Sequence, residues 1–331
     1  MDELLSSLGQ LFVVGYPGEE PPLPFLNFVE EEQLGGVILF ADNCRTHAVV
    51  REAIDRLTAP VTASPLLVAI DQEGGRVCRL KGAPAEFKAA SVYGRQRAVE
   101  HFAEDYSRSV VLMRSLGINL NLAPVADILL RLDNNCLDTR CFGEDPEIVA
   151  TFVKASVEVA KRHGLLSCLK HFPGLGASQV DPHQATAEAD YDGIVWKQRE
   201  RIPFAAGVAA GANLIMTTHL RLPHIDANIV TGSRDIVSNW IRNDLLFDGP
   251  VITDDLLMEG AAELGNIGER ALLAFNAGHD LLLFGQNYEA AMQAYDYFVD
   301  AARRGEISST RIRSALDRVA GMKFRLSRMM V

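Results

Sequence analysis

The chain has 331 residues, of which 48% are hydrophobic, enough to bury one large core. Its net charge of −11 disfavours a nucleic-acid or anionic-membrane partner, because either needs clustered Lys and Arg to neutralise phosphates. What remains is a protein that handles a small molecule.

The opening MDELLSSLGQ lacks the basic segment and apolar stretch of a secretion leader, and no later run is long enough to span a bilayer, so a cytoplasmic location is expected. The first apolar run, LFVV from Leu11, leads into GYPGEEPPLP, a loop with two turn signals. VILF from Val37 is the second run, and LLVAI from Leu66 the third. The third ends in Asp71 of DQEGGRVCRL, where Gly74 and Gly75 form either a plain turn or a close backbone approach to a ligand. INLNLA from Ile118 leads to Asp127. EIVATFVKASVEVAKRHG then reads as a helix, with Ile148, Phe152, Val153, Val157 and Ala160 on one stripe and Gly164 as its stop.

LLSCL from Leu165 leads into Lys170 and His171, NLIM from Asn213 into Thr217, Thr218 and His219, and PVIT from Pro250 into Asp254 and Asp255. Successive side chains on a strand point to opposite sides, so at most one of the two aspartates should face a barrel mouth, the other acting as a cap or acceptor. DLLLF from Asp280 is the last run, and SSTRIRSALDRVAGMKF is a final helix capped by Ser308 or Ser309.

Short apolar runs alternating with helical stretches predict an α/β fold whose strands are buried on both faces. Eight such runs predict a closed (β/α)8 TIM barrel, a single domain over 1–331, with a doubly wound open sheet as the alternative. No G-x-G-x-x-G follows the first strand and no phosphate-loop motif occurs, so a nucleotide fold has no fingerprint here. The cysteines, Cys44, Cys78, Cys136, Cys141 and Cys168, are odd in number with no C-x-x-C, and read as reduced thiols.

In a barrel enzyme the chemistry sits at the C-terminal ends of the strands, where this chain places Asp71, Asp127, Lys170, His171, His219 and the Asp254–Asp255 pair. Beyond His171, Gly174, Gly176, Ala177 and Ser178 suggest a loop able to open and close. Asp181-Pro182-His183 should then run extended, with the carboxylate and the imidazole leaving on the same side. A carboxylate that orients an imidazole suits proton transfer; a coincidental polar loop or a pair of metal ligands are the other readings.

The segments DQEGGRVCRL, NLNLAPVADI, TRCFGEDP, KHFPGLGASQVDPH and ITDDLLMEGA resemble, in order and spacing, those of the bacterial β-N-acetylglucosaminidases of glycoside hydrolase family 3. The likeness runs from GQLFVVGYPG nearly to the end of the chain. It implies a single-domain barrel that removes terminal N-acetylglucosamine from peptidoglycan fragments in cell-wall recycling. It also implies Asp254 as nucleophile and His183, paired with Asp181, as acid/base. Asp71, Arg79, Arg140, Lys170 and His171 match residues that hold sugar hydroxyls. Two positions depart from the family pattern: Leu175 replaces the histidine of KHFPGHG, and Pro182 stands where many members have serine.

A retaining glycosidase needs a carboxylate to attack the anomeric carbon and a second group to protonate the leaving oxygen and then activate water. Histidine, with its ordinary pKa of about 6.5, suits the second task near neutral pH. The expected protein is a monomer acting on an N-acetylglucosamine-containing muropeptide or oligosaccharide, with no cofactor, no metal and neither nucleic acid nor membrane as partner. Alternatives are a phosphorylase or a glycosidase of other sugar specificity on the same site, a metal-dependent hydrolase using His171, His183, His219 and Asp254, and a non-catalytic sugar binder.

Overall fold

All eight apolar runs fold as strands: β1 (Phe12–Gly15), β2 (Gly36–Leu39), β3 (Leu67–Ile70), β4 (Leu120–Asn121), β5 (Leu166–Phe172), β6 (Leu214–Thr217), β7 (Val251–Ile252) and β8 (Leu282–Phe284). This computed structural model describes residues 2–329 except 62–63, 132, 179–180 and 183, and leaves out the side chains of residues 2–3 and 327–329. The strands are parallel and ordered β7-β6-β5-β4-β3-β2-β1-β8. A parallel bridge between Ile252 and Leu281, with the Thr253 amide donating to Leu281 O at 3.1 Å, joins the two ends. The sheet is therefore closed rather than doubly wound, and no strand edge is left open.

Every residue of β1, β2, β3 and β5 is buried, as strands need to be when side chains fill the barrel on one face and helices cover the other. β4 is only two residues long, and Asn119 just before it and Asn121 within it extend the pairing to β3. The Asn119 side chain accepts from Val68 N and donates to Leu66 O, both at 2.8 Å; Asn121 does the same with Gln72 N and O at 2.9 Å. Polar side chains thus continue the ladder, so INLNLA supports a longer join than its two strand residues would.

The helices follow the expected caps. Asp145 caps Pro146–Arg162 by accepting from Glu147 N and Ile148 N, with Pro146 in the first turn. Phe152, Val153, Val157 and Ala160 are buried on its inner stripe, Ile148 partly so, and Gly164 (φ +68°) turns the chain away in the left-handed region. For the last helix, Ser309–Met329, the cap is Ser308, whose hydroxyl accepts from Arg311 N at 3.2 Å.

The five cysteines are all buried and free. No helix among the described residues is long and apolar enough to cross a membrane.

Candidate active site

The third strand runs into the site through a short hairpin, Gln72–Gly74 paired antiparallel with Val77–Cys78. The Gln72 side chain is wholly buried and organises the loop. Its amide donates to Leu80 O and Ala85 O at 3.2 and 3.1 Å, and its carbonyl accepts from Arg79 N and Leu80 N at 2.8 and 3.0 Å. Gly74 and Gly75 sit at φ +90° and +58°, and a Cβ on Gly74 would lie 2.4 Å from the Phe87 ring. Of the two sequence readings, the turn is the one the structure adopts, packed against Phe87 and Ala89.

Because Gln72 points into this loop, alternation brings Asp71 and Glu73 together on the other side. Both carboxylates meet Lys170: its Nζ donates to Asp71 Oδ1 and lies equally close to Glu73 Oε1, each at 2.6 Å. Arg140 completes the cluster with a two-pronged bond to Glu73, Nε to Oε2 at 2.7 Å and Nη2 to Oε1 at 2.8 Å. Arg79 lies 3.6 Å from Asp71 and over the Phe40 ring. Burial alone would raise the Glu73 pKa, but Arg140 and Lys170 outweigh it and hold that carboxyl well below its ordinary value. Burial would likewise lower Lys170, yet Asp71 and Glu73 raise it. The cluster is thus a fixed set of ions.

His171 turns into the same cavity. A shift of register between Leu169 and Phe172, where β5 meets β6, lets consecutive side chains, Lys170 and His171, both line it. Asp127, wholly buried at the end of the fourth run, accepts a hydrogen bond from His171 Nδ1 at 2.6 Å and also accepts from His171 N at 3.2 Å and Leu175 N at 2.7 Å. Nε2 is left to accept from Arg140 Nη2 at 3.2 Å.

The cavity these groups line is about 230 Å³ at the C-terminal mouth of the barrel. Asp254 and Asp255 both border it, but their carboxylates differ in what they do. Asp255 Oδ1 is spent on Leu257 N and Gly285 N, both at 2.9 Å, which makes it the structural acceptor of the pair. Asp254 Oδ1 accepts from Asp255 N at 2.9 Å. Ile38, Leu122, Met216 and Leu283, from four strands or strand ends, give the cavity an apolar floor.

Of the residues expected here, Asp71, Arg79, Arg140, Lys170, His171 and Asp254 converge on the cavity. His183 lies outside the described residues. The expected extended run Asp181-Pro182-His183 therefore cannot be followed through; its first residue, Asp181, accepts at its carbonyl from Gln184 N at 2.9 Å and Ala185 N at 3.3 Å. His219 does not line the cavity. Its ring nitrogens meet Thr231 Oγ1 and Asp255 O at 2.8 and 2.9 Å, so in this arrangement it is not placed to join a metal set with His171 and Asp254. Among the described residues no group of three His, Cys, Asp or Glu is arranged to hold a metal.

The glycine-rich stretch also differs from its expected looseness. Residues 171–178 are buried apart from the partly buried Ala177; Asn134 donates to Leu175 O and Ser178 O, and a Cβ on Gly176 would fall 1.6 Å from Ile128 O. These glycines serve close packing, and Leu175 fills the interior while its amide ties the stretch to Asp127. Beneath Gly174 lies Glu200, buried with Oε2 lacking a hydrogen-bond partner among the described residues. Burial pushes its carboxyl up to about 7 against the opposing pull of Arg199.

Since folding raises that pKa, the native chain holds the proton more tightly, and stability falls as pH rises from about 4.5 to about 7. Glu200→Gln should remove this loss, so urea unfolding at pH 5 and pH 8 should show the variant gaining up to about 3 kcal/mol on wild type at the higher pH. An unchanged gap between the two curves would mean that Glu200 is ionised in the fold.

A closed parallel barrel with a charged cavity of this size at its C-terminal mouth defines a (β/α)8 enzyme that works on a small polar molecule. Residues 6–322 match the glycosyl hydrolase family 3 N-terminal domain, and the chain belongs to that family; it is a glycoside hydrolase. It is similar to an uncharacterized secreted glycosyl hydrolase of Arthroderma benhamiae, at 30% identity over 98% of this chain and 94% of that one. Among solved structures it is similar to a glycoside hydrolase family 3 β-N-acetylglucosaminidase from Paenibacillus sp. str. FPU-7, with TM-score 0.94 and 30% identity over 98% of this chain. It spans only 62% of that protein's chain. A β-N-acetylhexosaminidase from Beutenbergia cavernae aligns over 97% of this chain and 98% of its own, with TM-score 0.90 and 30% identity.

Proposed function

We propose that this protein is a retaining exo-β-N-acetylglucosaminidase that releases terminal N-acetylglucosamine from peptidoglycan fragments, with residues 1–331 as one catalytic domain. The observation that carries the reading is the ion cluster at the cavity mouth. Asp71, Glu73 and Asp254 face Lys170, Arg140 and Arg79, so the charges nearly cancel while many donors and acceptors remain. Such a wall suits the hydroxyls of a neutral sugar better than an anion, and the apolar floor suits its C–H face.

Asp71, Arg79, Arg140, Lys170 and His171 hold the hydroxyls of the terminal sugar. Asp254 attacks the anomeric carbon as the glycosidic C–O bond breaks, and the leaving oxygen takes its proton from His183, oriented by Asp181. The same histidine then removes a proton from the water that displaces the sugar from Asp254. The role of His183 rests on the resemblance of the KHFPGLGASQVDPH segment. Five buried, unpaired cysteines suit a reducing compartment, so the cytoplasm is the proposed location.

The test is nitrophenol release from the β-N-acetylglucosaminide beside the β-glucoside, each with and without phosphate and EDTA. Hydrolysis of the N-acetyl sugar alone, indifferent to both additions, is the expected result. Release of a sugar 1-phosphate would replace hydrolysis by phosphorolysis, and loss of activity in EDTA would replace it by metal catalysis.

A further inference from the structure

The face opposite the catalytic mouth holds a second concentration of charge, of the other sign from the chain as a whole. Asp280, wholly buried just before β8, receives three arginines. Its Oδ1 accepts from Arg311 Nη1 at 3.1 Å and Arg318 Nη1 at 3.3 Å, and its Oδ2 from Arg242 Nη2 at 2.7 Å and Val251 N at 3.1 Å. The acceptor capacity of the carboxylate is filled, but its single negative charge is outnumbered.

The arginines are held independently of any ligand. Arg311 donates to Phe275 O and His279 O and stacks on the Phe275 ring with its guanidinium carbon 4.2 Å from the centroid. Arg242 donates to Phe247 O and Gly249 O at 2.8 and 2.6 Å. Arg318 donates only through Nη1, so Nε and Nη2 have no partner among the described residues.

Burial lowers the pKa of Arg242 and Arg311 below the ordinary value; Asp280 opposes this, and the nearby Arg318 adds to it.

All three arginines line a groove of about 510 Å³. Arg234, exposed and without a hydrogen bond or ion pair among the described residues, adds a fourth guanidinium to its wall. Ser308, at the start of the final helix, lies on the same wall, so the positive end of a 21-residue helix dipole adds to the field. The acidic residue of the groove, Glu306, is paired with Arg304 at 2.6 Å. Neutralising Asp280 explains neither the surplus of arginines nor the presence of Arg234. We propose that this groove binds an oxyanion of the phosphate class, free or as a monoester on a small molecule, at a site separate from the catalytic cavity.

Calorimetric titration at fixed ionic strength tests this, because phosphate raises melting temperatures of many proteins by exclusion alone and a thermal shift would mislead. Inorganic phosphate and glycerol 3-phosphate are titrated into wild type, Arg234→Gln and Arg318→Gln. Wild type should give saturable heat with one or both, and the tighter of the two identifies the occupant as free phosphate or monoester. Each substitution should weaken binding by about tenfold or more, the value of one charge-assisted hydrogen bond. Arg234→Gln should keep the wild-type melting curve and glycosidase rate, so that its loss of binding is not a loss of folding. Absence of saturable heat in wild type overturns the proposal. So does wild-type affinity in both variants, which would place phosphate elsewhere, the catalytic cavity included.

Discussion

Asp254→Asn should lower kcat/KM for a β-N-acetylglucosaminide by roughly 10⁴-fold or more, the scale on which losing a covalent nucleophile acts. The fold should hardly change. Asparagine keeps an oxygen for the Asp255 amide that Asp254 now accepts, and Asp255 retains its own bonds to Leu257 and Gly285. A melting temperature within about 3 °C of wild type is expected. Asp255→Ala should do the reverse, costing stability first, because it removes the one oxygen on which the Leu257 and Gly285 amides both depend. If Asp254→Asn retained a near wild-type rate, another group would have to be the nucleophile.

Glu73→Ala should have the larger effect on stability. It strips Lys170 and Arg140 of a shared carboxylate in a nearly water-free position, and breaking a buried ion network in this way costs about 3–5 kcal/mol. The pH dependence gives an independent check. Folding depresses the Glu73 pKa, so its contribution is present above about 4.5, the ordinary value, and is lost as pH falls below it. Urea unfolding should therefore show wild type losing stability more steeply than Glu73→Ala in the acid range. This window lies below the one assigned to Glu200, whose shift has the opposite sign, so the two groups can be separated in one series of curves. Equal acid slopes for wild type and Glu73→Ala would mean that the carboxylate is not held by its two cations.

Glu73 was not singled out from the sequence, although a signal was present. Asp71 and Glu73 stand two apart after an apolar run, and an extended backbone puts such a pair on one face; the intervening Gln72 gave no hint that it would turn away to build a loop. The strands were legible because a barrel strand is apolar on both faces and bounded by turn residues. Where β4 was too short for that rule, Asn119 and Asn121 completed it through side-chain bonds that only the neighbouring strand reveals.

The glycines of KHFPGLGAS mark the limit of composition as a guide. Glycine gives a chain freedom, and it also allows another backbone to come close. The choice at Gly176 is made by the Ile128 carbonyl, nearly fifty residues away in sequence. The same holds for Leu175, which reads as the loss of a histidine but is a buried side chain whose amide anchors the strand end to Asp127. Which aspartate of the Asp254–Asp255 pair would serve structure was undecidable from alternation, and it is settled by the Gly285 amide of β8's exit.

The most direct test of the central proposal, a covalent sugar on Asp254, is intact-protein and peptide mass spectrometry after rapid acid quench of the enzyme turning over a substrate with a good leaving group. The expected result is a mass increase of one N-acetylhexosamine, mapped to the peptide containing Asp254 and absent from Asp254→Asn. Rapid turnover with no adduct at any quench time, together with product released in the inverted configuration, would contradict it.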